Sequence, residues 1–253
     1  MSSSPVSSQL QRHALRQFTV LMQLRPSWAG RLVLSLGLGE EGAAFSMACH
    51  IAGAVSLAID DDPDRLRVVV RSGAADFVVN TLDEAIRAIK NEVRKGAPLS
   101  VALKADMGKA LEEILARGMA PSLFTSFGGA LPGHLTERAC DYFVSLGAAV
   151  VDFDMGGDIS LQRCGTTLSS HRLLAPLVSG EQWKMAHATC GAAAELRRFD
   201  EESLRLLPEE DRLRRRWLEG APSLFQSIRP PQRWLWVTKE ESAALDQFNL
   251  SFE

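Results

Sequence analysis

The chain has 253 residues, of which 46% are hydrophobic, enough for one large core or for one core with a smaller annex. The formal net charge of −3 provides no basic field, so neither nucleic acid nor an anionic membrane surface is expected as a partner. The cysteines share no C-x-x-C spacing, which argues against a disulfide framework and a metal site and predicts a cytoplasmic protein: Cys49, Cys140, Cys164 and Cys190.

The first predicted element is a helix over residues 9–24, where apolar side chains recur at helical spacing. We expect the serine-rich residues 1–8 before it to be disordered. Buried strands are predicted over residues 31–36 and 54–59, with a helix between them. Although residues 32–59 form the most apolar window, they contain two glutamates and several glycines, so we expect a βαβ unit and no membrane span.

A G-x-G-x-x-G motif joins the first of these strands to its helix. Gly37 permits the tight turn, Gly39 lets the backbone approach a pyrophosphate, and Gly42 lets the helix pack on the strand. The N-terminus of the helix then directs free N–H groups at the phosphates. Asp60 follows Gly39 by 21 residues, at the end of the second strand, where an acid would meet the ribose hydroxyls. The motif therefore predicts a dinucleotide site.

Two acidic residues in the motif support an alternative in which the turn binds nothing. Glu40 and Glu41 lie between the last two glycines, where a pyrophosphate would lie. They complement the helix dipole by themselves and would repel an anion if they pointed inward. If both face solvent, a pyrophosphate still fits.

Strands and helices then alternate along the chain. A turn at Pro63 suits the start of a short helix, and residues 68–70 and 77–79 are interpreted as short strands or buried connectors. A capping box at residues 81–84 and a cap at Asp106 open two of the following helices. Helices are predicted over residues 82–95, 106–117 and 134–146, and strands over residues 99–103, 122–125 and 148–153.

This alternation predicts an α/β fold with a doubly wound, mostly parallel, Rossmann-like sheet and a helical C-terminal annex. The predicted divisions are an N-terminal tail and helix (1–28), the Rossmann-like domain (29–159) and a charged annex with a short C-terminal strand (160–253). Residues 160–220 are helical in pattern and are broken at Pro208. The arginine run at residues 212–216 is interpreted as a solvated helix face or an inter-subunit surface, with anion contact as the alternative.

Residues 29–154 resemble the NAD-binding domain of the urocanase (urocanate hydratase) family. The similarity rests on ordered motifs rather than on any one of them. It includes Ala-Gly-Arg through the glycine turn, Ser-Leu-Ala-Ile-Asp with a following Arg, Leu-Asp-Glu-Ala, Pro-Leu-Ser-Val-Ala-Leu, Arg-Gly-Met-Ala-Pro-Ser and Phe-Asp-Met-Gly-Gly-Asp, at residues 29–42, 56–65, 82–85, 98–103, 117–122 and 153–158. A weaker similarity covers residues 228–234.

The resemblance implies NAD as a cofactor that acts as an electrophile, a hydro-lyase activity in histidine degradation, and a cytoplasmic homodimer. It implies that these residues bind the cofactor: Gly37, Gly39, Gly42, Asp60, Arg65 and Asp106. The chain departs from the family where Asp106 replaces an asparagine, where Ser160 replaces an arginine, and in the apolar loop 126–132.

Catalytic candidates are few. His134, near the loop at Gly128, is the better acid–base candidate, and His50 is a weaker one that is better explained as a packed or surface helix histidine. Asp154, at a strand end, is the second catalytic candidate. Three hypotheses stay open: a divergent urocanase-like protein that binds NAD, an active hydro-lyase acting on urocanate or a related unsaturated acid, and a non-enzymatic assembly module with an emptied nucleotide site. A small-molecule substrate and a homo-oligomer are the expected partners.

Overall fold

The computed structural model describes residues 6–128, 133–153, 165–178 and 182–252. Its helices are α1 (Val6–Leu24), α2 (Glu40–Ala52), α3 (Pro63–Ser72), α4 (Leu82–Lys95), α5 (Met107–Ala116), α6 (Gly133–Ser145), α7 (Ser170–Val178), α8 (Ala193–Leu206), α9 (Arg212–Leu224) and α10 (Lys239–Ala244). Its strands are β1 (Leu32–Leu36), β2 (Val55–Asp60), β3 (Phe77–Val79), β4 (Leu99–Lys104), β5 (Leu123–Ser126), β6 (Ala149–Asp152), β7 (Leu168–Ser169), β8 (Lys184–Thr189), β9 (Gln232–Val237) and β10 (Ser251–Phe252).

Seven strands form one sheet in the order β3-β4-β2-β1-β5-β6-β7, and each pairing among these described strands is parallel. β1 is central, with β2 on one side and β5 on the other, so the strand order reverses next to β1. In open α/β sheets, ligands bind at this reversal, outside the carboxyl ends of the strands. The predicted Rossmann-like architecture is confirmed, and the expected site lies beyond the ends of β1 and β5.

Helices cover both faces of the sheet, as its fully buried central strands require. Alternate residues of β2 point to opposite faces, and the whole strand is buried. α4, α5 and α6 pack on one face around Ile89, Leu111 and Phe143. α1, α2, α3 and α7 lie on the other face. The sheet is therefore doubly wound.

The C-terminal residues join the face that carries α1 and α2. Their strands form a separate antiparallel sheet in the order β10-β8-β9. The indole Nε1 of Trp236 in β9 donates a hydrogen bond to Thr19 Oγ1 in α1 at 2.8 Å, and the Gln11 side chain in α1 exchanges hydrogen bonds with the β9 backbone at Gln232 and Trp234. α1 thus links the annex to the Rossmann-like sheet through buried polar contacts.

Three predictions about secondary structure are wrong. Residues 68–70 are helical, because Asp62 caps α3, Pro63 opens it and Gly73 ends it; Val69 alone of the three valines is buried. The 160–220 region, predicted to be helical, contains β8, whose paired residues in β9 and β10 lie 43 to 66 residues further along the chain. Residues 6–8, expected to be disordered, belong to α1, and residues 1–5 lie outside the described part.

The arginine run at residues 212–216 is not a uniform solvated face. Arg214 is buried, donates to Asp211 Oδ2 at 2.6 Å and to Glu241, and lies over the Trp183 ring at 4.8 Å. Because Glu241 and Trp183 are distant in sequence, the helical pattern alone does not reveal this contact. In the part of the chain that the structure describes, no helix is both long and apolar enough to cross a membrane.

Candidate functional site

The turn after β1 is held where three strand ends meet. The Gly37 N–H donates to the Ile59 carbonyl at 2.9 Å, and the Phe127 N–H donates to the Leu36 carbonyl at 2.8 Å. Gly37 has a φ of +86°, and a Cβ there would lie 2.5 Å from the Phe127 carbonyl oxygen. Only glycine fits this position, because a side chain would meet both an unfavourable φ and the backbone of the neighbouring strand.

The other two glycines differ in what surrounds them. A Cβ on Gly42 would lie 2.0 Å from the Gly37 carbonyl oxygen, so this glycine lets α2 pack against the turn. A Cβ on Gly39 would meet no atom within 4 Å among the described residues, apart from those of its chain neighbours and its own helix backbone. The motif therefore combines two tightly packed glycines with one that borders open space, as a nucleotide cradle requires.

The N-terminus of α2 opens onto that space. Gly39 is the N-cap residue and supplies no side-chain cap, and the first intrahelical bond runs from the Ala43 N–H to the Gly39 carbonyl. The N–H groups of the first turn therefore have no partner within the helix. Together with the helix dipole, they form a region that favours an anion.

The two motif glutamates, Glu40 and Glu41, differ in their exposure to solvent and in their contacts with α1. Glu40 is largely exposed to solvent. The small part of its side chain that is buried raises the pKa of its carboxyl. Glu41 is half-buried, with Oε1 3.7 Å from His13 Nδ1 in α1, and its carbonyl accepts from Gln17 Nε2 at 3.1 Å. Burial, assisted by Arg12 and Arg16, lowers the pKa of His13, so the contact with Glu41 is not an ion pair at neutral pH.

Asp60 lies at the end of β2, as predicted, and its side chain is fully buried. Oδ2 accepts from the Leu38 N–H at 2.6 Å, inside the glycine turn. Oδ1 accepts from the Asp62 N–H at 2.8 Å and from Arg65 Nη2 at 2.9 Å. Asp60 therefore holds the shape of the turn. Its predicted contact with a ribose stays a prediction, and in this conformation the carboxylate has no surface exposed for one.

Arg65 lies beside the turn in α3, with its side chain 44% exposed. The hydrogen bond to Asp60 raises the pKa of Arg65 above its usual value. Asp61 is exposed, and Asp62 caps α3 by accepting from the backbone of Asp64 and Arg65, which lowers the pKa of its carboxyl. The segment that follows β2 thus carries three adjacent carboxylates and the guanidinium of Arg65.

Asp106 lies at the same edge of the sheet, one strand further out. The Ala105 N–H donates to the Asp60 carbonyl at 3.2 Å, which brings the start of α5 to the end of β2. Asp106 is exposed and caps α5 by accepting from the Lys109 N–H at 2.8 Å, as predicted. It borders a cavity of about 420 Å³ beside the β4 end.

The two described catalytic candidates, His134 and His50, are not brought together. His134 is exposed in the first turn of α6, and Asp154 lies outside the described residues. His50 is in the last turn of α2, at the opposite end of that helix from Gly39, so the structure excludes it from this site. Among the described residues, no group of three side chains that could bind a metal occurs.

Sequence reasoning missed the aromatic support of the turn. Phe127, just after β5, packs on Phe45 and Phe153 with ring centroids 5.5 and 6.3 Å away. It predicted α1 but missed its contact with the turn, where Gln17 donates to the Glu41 carbonyl in the first turn of α2. In the sequence, the sign of this contact is a glutamine next to Phe18 in an otherwise apolar stretch of the helix; both side chains are buried in the structure.

One known protein family matches part of this chain. The sequence model described as the urocanase Rossmann-like domain matches residues 16–130. This stretch is therefore similar to the urocanase Rossmann-like domain. The predicted family resemblance is confirmed for this stretch, which contains the glycine motif and the predicted cofactor-binding residues Asp60, Arg65 and Asp106. The similar segments predicted beyond residue 130 lie outside the match.

Solved structures that resemble this chain do so distantly. A short chain alcohol dehydrogenase from E. coli CFT073, complexed with NADH, is 13% identical over 63% of this chain and 44% of its own, with a TM-score of 0.34. The quinone oxidoreductase from Thermus thermophilus, solved with NADPH, is 13% identical over 70% and 55%, with a TM-score of 0.36. L-tryptophan dehydrogenase from Nostoc punctiforme is 12% identical over 98% and 62%, with a TM-score of 0.32. This chain therefore aligns with only 44% to 62% of the length of these three proteins.

Proposed function

We propose that this chain binds NAD in the crevice beyond the carboxyl ends of β1, β2 and β5, as a urocanase-like NAD-binding protein. The observation that carries the proposal is the open space at Gly39 in front of the uncapped N-terminus of α2. A pyrophosphate there would accept hydrogen bonds from N–H groups of the first turn, which have no partner within the helix. Gly37 and Gly42 keep the backbone close enough for that contact.

The charges beside the turn favour NAD over NADP. A 2′-phosphate on the adenosine ribose would approach the carboxylates of Asp61 and Asp62. Arg65, which lies beside them, is already paired with buried Asp60. Binding of the additional phosphate is therefore disfavoured by like-charge repulsion. When bound, the oxidised nicotinamide ring would supply an electron sink, while the protein holds and orients the cofactor.

Calorimetric titration with NAD tests the proposal. In the Gly39→Asp variant, a carboxylate enters the space meant for the pyrophosphate, and binding is expected to fall below detection. Because Gly39 is an N-cap position with extended backbone, aspartate there should cap α2 and leave the thermal unfolding midpoint unchanged or higher. Gly39→Asn is the matched uncharged control and should weaken binding less. Equal affinity for NAD in wild type and Gly39→Asp would overturn the proposal.

Turnover is a separate question with its own readout. If the NAD-loaded protein hydrates urocanate, the ultraviolet absorbance of urocanate decays, and His134→Gln should slow that decay. If neither NAD binding nor decay is observed and the protein is oligomeric, the non-enzymatic assembly hypothesis is supported instead.

A further inference from the structure

A second cavity lies at the far end of α2. It measures about 600 Å³ and is bordered on one side by the arginine cluster, Arg212, Arg215 and Arg216, all from α9. Met22, Pro26 and Ile51, from the ends of α1 and α2, form an apolar wall. Since α2 has 13 residues, about 20 Å of helix separates this cavity from the glycine turn. The two sites are therefore distinct.

Backbone carbonyls hold two of the three guanidinium groups in place. Arg215 Nη1 donates to the carbonyls of Leu204 and Leu207 at 3.1 and 3.2 Å, and Arg216 Nε donates to the Ile51 carbonyl at 2.8 Å. These contacts fix the two side chains by one donor atom each and leave their other N–H groups available. The entropy of ordering these long side chains is thus already lost before any ligand arrives.

The cluster is not neutralised by its surroundings. None of its three arginines has a carboxylate within 4.0 Å among the described residues, whereas Arg214 between them contacts both Asp211 and Glu241. Glu209 and Glu219 also border the cavity but lie beyond that distance, so three cations and two anions leave the lining at +1. Like charges that border one cavity repel one another, and an anion bound between them relieves that repulsion.

We propose that this cavity binds a phosphate monoester, with its phosphoryl group on the arginine cluster and its organic part against Met22, Pro26 and Ile51. A phosphoryl group offers three terminal oxygens and a charge of about −1.5 to −2 at neutral pH, matching three guanidinium groups better than a carboxylate does. The cavity volume lies within the usual range for small-molecule sites. Phosphate monoester binding here does not depend on NAD binding at the glycine turn.

Calorimetric titration of the full chain with phenyl phosphate tests the proposal, with inorganic phosphate and benzoate as partial probes. Phenyl phosphate should bind more tightly than either, because inorganic phosphate lacks the apolar ring and benzoate lacks the phosphoryl group. Arg212→Gln should weaken phenyl phosphate binding about tenfold. Arg212 is exposed and makes no side-chain hydrogen bond or ion pair among the described residues, so this change should leave the fold intact. Arg71→Gln, an exposed arginine on α3, is the matched control and should leave the affinity unchanged.

Gly39→Asp separates this site from the glycine turn. Binding of phenyl phosphate that survives Gly39→Asp and weakens in Arg212→Gln supports the proposal. Three results would overturn it: no binding at millimolar phenyl phosphate, binding that Gly39→Asp abolishes while Arg212→Gln leaves it intact, or equal affinity for benzoate.

Discussion

The carboxylate of Asp60 accepts a hydrogen bond of 2.6 Å from the backbone N–H of Leu38, across 22 residues of sequence. One contact thereby joins the end of β2 to the middle of the glycine turn. Leu38 lies between Gly37 and Gly39, so the contact fixes the backbone on which the proposed pyrophosphate site depends. Arg65 balances the charge of Asp60 from the other side.

Removal of the Asp60 carboxylate should therefore reduce both stability and NAD binding. In Asp60→Ala, the buried Leu38 N–H loses its acceptor, which costs about 1–3 kcal/mol in the free energy of unfolding. Asp60→Asn turns one of the two acceptor oxygens into a donor that faces another donor, so it should also destabilise the fold. Urea denaturation beside NAD titration measures both effects. Unchanged stability in Asp60→Ala would contradict the role assigned to this contact.

The three motif glycines should respond differently to alanine. Gly37→Ala and Gly42→Ala place a methyl group 2.5 Å or less from a carbonyl oxygen, so each should destabilise the fold by about 1–3 kcal/mol through strain and displaced backbone. Gly39→Ala, with φ −61° and open space, should fold normally. Thermal unfolding compares the three variants. A destabilised Gly39→Ala protein would show that the turn is packed differently.

Much of this turn is predictable from sequence because its determinants are local. Glycine spacing, the Asp106 cap and the Thr81–Glu84 capping box each act within a few residues, and the structure confirms them. The valine run in α3 misled because β-branched residues favour strands, whereas Asp62 and Pro63 determined a helix.

Long-range partners explain what could not be predicted. The hydrogen bond from Leu38 to Asp60, the burial of Arg214 by Trp183 and Glu241, and the pairing of β8 with β9 all connect distant parts of the chain. A periodic pattern reports which face of an element is apolar, but it does not report which distant residue meets a polar group there. The position of the arginine cluster against α2 could not be predicted for the same reason, because Arg216 and Ile51 are far apart in the sequence.

Glu40 should make NAD binding depend on pH. Because burial raises the pKa of its carboxyl above the usual 4.5, Glu40 becomes charged as the pH rises through that higher value, and affinity for the anionic cofactor should fall. Glu40→Gln should remove this dependence and tighten binding at pH 7 by about two- to tenfold. Glu112→Gln, on the exposed face of α5, is the charge-matched control. Weaker binding in Glu40→Gln would mean that this side chain contacts the cofactor favourably.

The annex should depend on one buried ion pair. Arg233 Nε and Nη2 in β9 donate to the two carboxylate oxygens of Asp200 in α8 at 2.8 and 2.9 Å, and both side chains are buried. Asp200→Asn leaves a buried guanidinium without its counter-charge, which should cost about 3–5 kcal/mol. The double variant Asp200→Leu, Arg233→Met should recover most of that loss in chemical denaturation. Additive losses would show that the two side chains do not act as a pair.

Cys190 should be unreactive in the folded protein. Burial, with the nearby charges of Glu195 and Asp200, raises the pKa of its thiol to about 11, so only about 0.1% is thiolate at pH 8. Alkylation with iodoacetamide, followed residue by residue by mass spectrometry, should be slow for Cys190 until the chain is unfolded. Rapid modification of Cys190 in the native protein would contradict this environment.

Denaturing mass spectrometry of the small molecules released from purified wild-type protein and from Gly39→Asp tests the proposed cofactor site most directly. We predict that NAD is released from the wild type, or is retained by it after incubation and desalting, and that none comes from the variant. Absence of NAD from both proteins, with no thermal shift on its addition, would contradict the assignment of the glycine turn as a cofactor site.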